Sequence, residues 1–353
     1  MNIKRISSIV VSVILVCGAI YAVGLYWHKS SHFDTGTIKI IDQAGRVVYV
    51  PEKVDRIVSL WPEATRVLVA LGVSDKIVGV TTMGDTADPI FTKIFPKLKN
   101  LPGLGGMGKG VNIEELISLR PDIVFHQVNE ASSADDIQNK TGIPVVCVRI
   151  APFTQRGKCR FDLITLIGRC VHEGKRATYL KGFLDDKMSR LREVISQIPR
   201  DDRLKGFVIG PTKMVNGHCD PLESGGVINV AFRKYDVWYH ANLEQIIAWE
   251  PDIIFCHILH KTTGVSPDYI CSHPQWQKVK AVKDKRIYNV IIGYCGWYPE
   301  TVVINAMQIA KTAYPEKFKD LDVEKEGNEI YEGLYGVVDF FSNLAEEYNI
   351  YIP

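Results

Sequence analysis

Histidines, methionines and aromatic residues recur just beyond short apolar runs of this chain of 353 residues. Imidazole can ligate haem iron, cobalt or a bare metal ion. Aromatic rings offer large flat contacts at little entropic cost, which suits a macrocycle or a catecholate chelate. The candidate ligand-binding residues are Trp61, Met83, Met107, His126, Gln127, His218, Trp238, Tyr239, His240, Tyr294, Trp297 and Tyr298.

Each of these residues also has a purely structural interpretation. Trp61 in particular could be a core residue, and a histidine in a loop is more often a hydrogen-bonding group than a ligand. The run FCHILHK brings Cys256, His257 and His260 together in the sequence, where they could form a small metal site. The residue types alone leave these alternatives open.

The predicted elements explain why the candidates should converge. Strands and helices alternate, and the strands are short apolar runs, as is typical of a parallel α/β sheet. The first helix is predicted from Pro62 to Leu71, because proline favours the first position and Gly72 ends the helix. Before it, TIKIIDQAGRVVYVP predicts two strands around a glycine-containing turn. Ligands of such folds lie beyond the carboxyl ends of the strands, where the candidates stand.

One helix-then-strand unit occurs twice. NIEELISLRPDIVF at 112–125 and NLEQIIAWEPDIIF at 242–255 agree at seven of fourteen positions. Each unit begins with asparagine, a good N-cap, and places Glu114 or Glu244 in the first turn, where the helix dipole favours negative charge. The dipole explains each glutamate singly but not why both units contain Asn-x-Glu. The repeat therefore predicts two similar lobes that present the same face to one partner.

The stretch 161–198 differs from the rest, because apolar residues recur at helical spacing over nearly forty residues. One helix or a pair of helices of this length is natural as a strut between two lobes. We therefore expect a terminal segment and linker at 1–33, an α/β lobe at 34–157, a linking helix at 158–198, and a second α/β lobe with a helical tail at 199–353. The length suits roughly two domains.

The first residues predict export through a membrane. Lys4 and Arg5 precede residues 6–27, which are 22 residues without a charge. A helix of that length spans about 33 Å, enough for a bilayer. A signal peptide and an uncleaved membrane anchor both fit, and a buried core helix is the competing interpretation. A lipoprotein is disfavoured, because the bulky Val16 precedes Cys17.

Composition excludes several other classes. The net charge of +2, from 42 basic and 40 acidic residues, gives no reason to expect a nucleic-acid partner. Eight cysteines without a C-x-x-C pair argue against a disulfide framework and a zinc ribbon, although one disulfide remains possible. The sequence contains none of the motifs of serine hydrolases, P-loop enzymes or zinc proteases. We expect no catalytic activity.

Several segments together resemble the helix-linked substrate-binding proteins of ABC importers, which deliver ferric siderophores, haem and cobalamin. They are DQAGRVVYVPEKVDRIVSLWPEATRVLVALGVSDKIVGVT, LPGLGGMGKGVNIEELISLRPDIVF, ESGGVINVA, NLEQIIAWEPDIIF and HPQWQKVKAVKDKRIY, in an order that spans about residues 37–318. The resemblance implies two Rossmann-like lobes, a rigid connecting helix and a ligand in the cleft between the lobes.

The resemblance also implies roles for particular residues. Glu114 and Glu244 match the acidic residues that meet arginines of the permease in this family. Trp238 aligns with an aromatic residue that faces corrin in the cobalamin-binding relatives. This chain has few arginines at the expected cleft positions, which disfavours a carboxylate-rich siderophore, although Arg149 and Lys213 could offer charge to an anionic chelate.

These observations predict a receptor rather than an enzyme. We expect a monomer without an intrinsic cofactor, outside the cytoplasmic membrane in the periplasm or on the outer membrane face. It should capture an iron siderophore, haem or a corrinoid and hand it to ABC permease subunits. The long linking helix should limit closure to a modest shift of the lobes. The alternatives are a binder of free zinc or manganese ions and a membrane-tethered sensor.

Overall fold

The computed structural model describes residues 36–81, 88–105, 110–149, 161–210, 213–233, 238–258, 265–291 and 298–353. These residues form two lobes of parallel strands and helices with a helical connection between them. The predicted α/β class is confirmed.

The N-terminal lobe contains a ribbon and a sheet. In the ribbon, β1 (Thr37–Ile41) pairs antiparallel with β2 (Val47–Pro51), as predicted, and Gly45 takes a left-handed φ of 80° in the turn. The parallel sheet has the order β4-β3-β5-β6, formed by β3 (Ile57–Ser59), β4 (Ile77–Val80), β5 (Ile123–Gln127) and β6 (Val145–Val148). The helices are α1 (Pro62–Ala70), α2 (Phe91–Ile94), α3 (Ile113–Ser118) and α4 (Ala131–Thr141).

Two helices connect the lobes: α5 (Asp162–Cys170) and α6 (Gly174–Ser196). The sequence left open whether this stretch forms one helix or two. The structure has two helices, separated at His172, whose φ of 63° is left-handed. With 23 residues, α6 is about 35 Å long. It buries a stripe of apolar residues at helical spacing, including Leu180, Leu184 and Leu191.

The C-terminal lobe is built on a sheet of order β10-β8-β7-β11-β12, with β9 beside β7. The strands are β7 (Lys205–Ile209), β8 (Met214–Asn216), β9 (Ile228–Asn229), β10 (Trp238–His240), β11 (Ile253–Ile258) and β12 (Ile287–Ile291). The helices are α7 (Asp220–Ser224), α8 (Leu243–Ala248), α9 (Pro267–Ser272), α10 (Lys280–Lys283), α11 (Pro299–Ala313), α12 (Val323–Tyr335) and α13 (Phe340–Tyr348). The sequence did not predict β8, β9 and β10, because two or three residues are too few for a hydrophobic period.

The two sheets share one core and each has a second core of its own. Residues of α1, α5, α6, α11, α12 and α13 form a single apolar cluster with one face of both sheets. Alternation along the strands sends neighbouring residues to opposite cores. Phe125 of β5 and Phe255 of β11 lie in the shared cluster, whereas Val124 and Ile254 lie in the outer ones. The lobes are therefore packed together as well as joined by the linking helices.

None of the described helices combines the length and the apolar character needed to cross a membrane. The uncharged run at 6–27, on which the prediction of export rests, lies outside the described residues.

Candidate functional site

The carboxyl edge of the C-terminal sheet carries a stacked pair of rings from Trp238, which is half-buried, and His257, which is 6% exposed. The Trp238 and His257 rings stack with centroids 5.8 Å apart and an interplanar angle of 26°. Gly210, directly after β7, makes room for this pair, because a Cβ there would lie 2.8 Å from Trp238 Cζ3. His257 lies near the carboxyl end of β11, one residue past the pairing of Cys256 with Ile209 of β7. The Trp238 ring, from the first residue of β10, therefore lies beside the carboxyl ends of β7 and β11.

The other predicted C-terminal residues have varied surroundings. His218 is half-buried, and its ring lies 5.4 Å from that of Phe232. Tyr239 is buried, and its hydroxyl donates to the Ala231 carbonyl at 2.7 Å while Arg233 covers its ring. His240 is exposed at the end of β10. The hydroxyl and one face of the Tyr239 ring are thus already used within the protein.

In the N-terminal lobe, His126 is buried and both of its ring nitrogens have partners. Nδ1 accepts the Gln127 N–H at 2.9 Å, and Nε2 lies 3.3 Å from Ser133 Oγ and 3.2 Å from Glu130 Oε2. These contacts are those of a neutral imidazole with its hydrogen on Nε2. Burial lowers the pKa of His126, and the opposing effect of Glu130 does not overcome it. Gln127 donates to Glu130 Oε1 at 2.8 Å, so both predicted residues belong to one hydrogen-bonded group.

Trp61 and Tyr298 lie inside the protein. Trp61 forms the N-cap position of α1 and is only 9% exposed within the shared core. Tyr298 is 1% exposed, and its ring lies 3.3 Å from the guanidinium carbon of Arg66. Trp61 thus has the core environment that its sequence context allowed, and the ring of Tyr298 contacts a buried cation. Their predicted roles as ligand residues remain predictions.

A buried charge cluster, which the sequence did not reveal, surrounds Arg66. Its guanidinium donates to Asp88 Oδ2 at 2.5 Å and to Glu300 Oε1 at 2.9 Å. The hydroxyl of Tyr335 donates to the other oxygen of Glu300 at 2.9 Å. We call Arg66, Asp88, Tyr298, Glu300 and Tyr335 the Arg66 cluster. Arg66 and Glu300 are 234 positions apart, so no local pattern could have paired them.

The repeated units adopt the same local structure in both lobes. The side chain of Asn112 accepts the N–H of Glu115 at 3.1 Å, and that of Asn242 accepts the N–H of Gln245 at 2.8 Å. Glu114 and Glu244 are exposed at equivalent positions of α3 and α8, and residues 111–116 and 241–246 have the same order of exposed and buried positions. The sequence repeat is therefore also a structural repeat, with one exposed carboxylate in each lobe.

The repeat extends to the Pro-Asp pair that follows each helix. Asp122 Oδ2 accepts the N–H groups of Asp55 and Arg56, both at 2.8 Å, just before β3. Asp252 Oδ2 accepts the N–H of Lys205 at 2.8 Å, at the start of β7. Each aspartate therefore fixes the helix-strand unit to the neighbouring strand.

Several predicted residues lie outside the described ones: Met83, Met107, Tyr294, Trp297 and His260. Within the described ranges there is no group of three histidine, cysteine or acidic side chains close enough to hold a metal ion. Cys256 and His257 are neighbours in β11 and project to opposite faces of the sheet. Cys256 packs in the outer core, where burial raises its pKa, whereas His257 stacks on Trp238. These two side chains cannot bind one ion while β11 is a regular strand.

The charged candidates are placed as follows. Arg149 is half-buried, and its Nη1 donates to Asn129 Oδ1 at 3.3 Å. Lys213 is exposed in the turn between β7 and β8, and its Nζ lies 5.1 Å from the centroid of the Tyr269 ring.

A groove of about 280 Å³ lies between α6, Met307 of α11 and the chain around Phe318. None of the predicted ligand residues lines it.

Comparison with known proteins gives the chain a family context. The model of the family described as periplasmic binding protein matches residues 57–290. The molybdate-binding protein MolA of Haemophilus influenzae is 25% identical over 320 residues, which cover 84% of this chain and 90% of that protein. Its molybdate-bound structure has a TM-score of 0.73 at 23% identity, covering 85% of this chain and 98% of that one.

Two further relatives are similar in different ways. YvrC of Bacillus subtilis, named an uncharacterised ABC transporter substrate-binding lipoprotein, is 28% identical over 293 residues, or 80% of this chain and 87% of that protein. A vitamin B12-binding protein of Vibrio vulnificus is 35% identical over 72 residues, which are 20% of this chain and 23% of that protein.

Proposed function

The chain belongs to the periplasmic binding protein family, and from this premise we propose that it captures a metal chelate outside the cytoplasmic membrane and delivers it to ABC permease subunits. Membership confirms the family predicted from the sequence. The cargo, the permease contact and export through the N-terminal segment are the parts that we propose.

The observation that carries the delivery role is the paired placement of Glu114 and Glu244. Both carboxylates are exposed on the first turn of equivalent helices, and each helix is tied to its sheet through an aspartate. Rigid, matched charges can orient a partner and speed the encounter, although each exposed ion pair adds little affinity. Two such charges, one in each lobe, suit a permease that contacts both lobes at once.

Replacement of both carboxylates tests docking. We expect Glu114→Arg with Glu244→Arg to reduce cargo uptake into permease-containing vesicles by at least about tenfold, because like charges would then face the permease arginines. Cargo affinity should not change. Glu324→Arg is the matched control, since Glu324 is exposed two residues after the N-cap of α12, as the other glutamates are in their helices. Loss of cargo affinity, or equal loss of uptake in the control, would show that docking is misassigned.

The half-buried Trp238 ring supports a metal chelate with flat aromatic or macrocyclic parts as cargo. The indole stacks on the buried His257 ring beside the carboxyl ends of β7 and β11, and the exposed part of the indole offers a flat apolar contact. Such a contact fits a corrinoid, haem or a ferric catecholate siderophore better than a small hydrated ion. The short match to a vitamin B12-binding protein supports the same class.

A small oxyanion is the second candidate cargo. The relative MolA, which matches most of this chain, is a molybdate-binding protein. An oxyanion would depend on hydrogen-bond donors and cations rather than on stacking. The two candidates therefore predict different effects of removing Trp238.

Titration of the full-length protein with cyanocobalamin, haemin, a ferric catecholate and molybdate distinguishes the candidates. We expect one organic chelate to bind, and Trp238→Ala to weaken its binding by about tenfold, or about 1.4 kcal/mol. Trp249→Ala is the matched control, because Trp249 is in the same lobe but packs against the outer core. Binding of molybdate alone, unchanged in Trp238→Ala, would favour the oxyanion and refute the chelate.

A further inference from the structure

The Arg66 cluster joins residues from both lobes at one buried point. Arg66 lies on α1 and Asp88 just before α2, both in the N-terminal lobe. Tyr298 and Glu300 lie at the start of α11, in the C-terminal lobe, and Tyr335 ends α12. The side chains of Arg66, Asp88 and Glu300 are no more than 3% exposed. The cluster is thus an ionic contact between the lobes that is shielded from bulk solvent.

The guanidinium of Arg66 is held on its edges by carboxylates and on its faces by aromatic rings. Its Nε donates to Glu300 and its Nη2 to Asp88, so two nitrogens of one planar group point to different lobes. The ring centroids of Tyr298 and Phe91 lie 3.3 Å and 4.2 Å from its Cζ. A guanidinium held by two carboxylates and two rings has little freedom to rotate.

Electrostatics keep Arg66 charged despite its burial. Burial disfavours the cation, but Tyr298, Asp88 and Glu300 outweigh this effect, so the pKa of Arg66 is raised well above its usual value. A buried charge that loses one partner is strongly unfavourable. Moving the lobes apart would take Glu300 away from Arg66, so any such motion meets a cost that a purely apolar contact would not impose.

The cluster also occupies a particular place in the chain. Asp88 follows the segment that leaves β4, and Tyr298 and Glu300 follow the segment that leaves β12. These are carboxyl ends of strands, one in each lobe, and ligands of such sheets lie beyond those ends. Arg66 is therefore hydrogen-bonded to Asp88 and to Glu300, which lie where these two connections lead into α2 and α11.

We propose that Arg66 is an interlobe positioning residue, which fixes the relative placement of the two lobes and of their cargo-facing edges before any cargo is bound. What this placement does for cargo rests on the proposed function. The placement itself is measured without cargo, so it can fail while the proposed function stands.

Electron-spin distance measurement on the full-length protein tests the proposal. Spin-labelled amino acids that do not use thiol chemistry are introduced at Ser132 of α4 and Lys283 of α10, both exposed and in different lobes. In the parent protein we expect one narrow distance distribution. In Arg66→Met we expect the distribution to broaden and its mean to move by about 2 Å, the upper end of ordinary helix shifts at packed interfaces.

Lys187→Met is the matched control. The Lys187 side chain is also buried, at 7% exposure, and it pairs with Glu326 and Glu329, so its contacts join α6 and α12 rather than the two lobes. This variant should keep the narrow distribution. An unchanged distribution in Arg66→Met, or equal broadening in both variants, would overturn the proposal.

Glu300→Gln covers the case in which Arg66→Met fails to fold. It keeps the size of the side chain and removes the negative charge that the C-terminal lobe contributes. We expect a smaller change in the same direction as Arg66→Met. A distribution identical to that of the parent would also overturn the proposal.

Discussion

His126 shows how the surroundings of one residue change what its type can do. As a histidine at a strand end it was a candidate ligand, yet both nitrogens already take part in hydrogen bonds with Gln127, Ser133 and Glu130. A metal ion could bind only by displacing one of these partners. The sequence correctly places His126 at the end of a strand, but burial depends on α4, which follows and packs over that position.

The burial of His126 predicts a pH dependence of stability. Burial lowers the pKa of His126 in the folded protein below 6.5, its usual value in an unfolded chain. Between these two pKa values, the unfolded chain binds a proton that the folded protein does not. Stability should therefore fall as the pH drops below about 6.5. Urea unfolding at pH 7.5, 6.5 and 5.5 measures this loss.

We expect His126→Asn to show a weaker decline over that range. His240→Asn, at an exposed position, serves as the control and should retain the parent slope. A slope in His126→Asn equal to that of the parent would mean that other groups cause the acid sensitivity.

At the scale of elements, the repeated units are held by hydrogen bonds that the Pro-Asp sequence encodes. Asp122 joins the α3–β5 unit to β3, and Asp252 joins the α8–β11 unit to β7. Asp252 also accepts from Lys280 Nζ at 2.6 Å. Although burial disfavours its charge, the Lys205 N–H and Lys280 lower the pKa of Asp252. Glu114 and Glu244 thus lie on helices whose far ends are fixed to the sheet.

Removal of the first of these aspartates should destabilise the N-terminal lobe. We expect Asp122→Ala to lower the free energy of unfolding by about 1–3 kcal/mol, because two backbone N–H groups lose a charged acceptor. Asp136→Ala is the control, since Asp136 is exposed and forms a single ion pair with Lys140; it should cost less than about 0.5 kcal/mol. Denaturant unfolding of both variants gives the comparison. If Asp122→Ala lowered the free energy of unfolding no more than the control does, the hydrogen bonds of Asp122 would contribute little to stability.

Most elements were predictable because their signals are local. Pro62 and Gly72 delimit α1, and Asn112 and Asn242 cap their helices as their residue type predicts. The short strand at Trp238 was not predictable, because three residues are too few to show a hydrophobic period. The candidate site was predictable only as positions at strand ends.

At the scale of the whole molecule, the shared core changes how the linking helix acts. The sequence suggested a strut between two separate lobes, but α6 packs in one cluster with helices of both lobes. The Arg66 cluster lies between α1 and α11, in the same layer. No single-sequence pattern could show this, since the period of an apolar helix face reveals that it is buried but not against what. The prediction of limited lobe motion therefore has a second basis in packing, in addition to the length of the helix.

Substitutions in the shared core should destabilise both lobes, whereas substitutions in an outer core should destabilise mainly one lobe. We expect Leu184→Ala, in the shared core, to cost about 2–5 kcal/mol and to increase hydrogen exchange in peptides from β5 and β11 together. Leu116→Ala, in the outer core of the N-terminal lobe, removes the same atoms and should affect mainly the peptides of that lobe. If Leu184→Ala changed exchange in one lobe only, the lobes would open independently, and the shared cluster would not couple them. Because exchange is read peptide by peptide, the same measurement shows whether α6 opens with either lobe or with both.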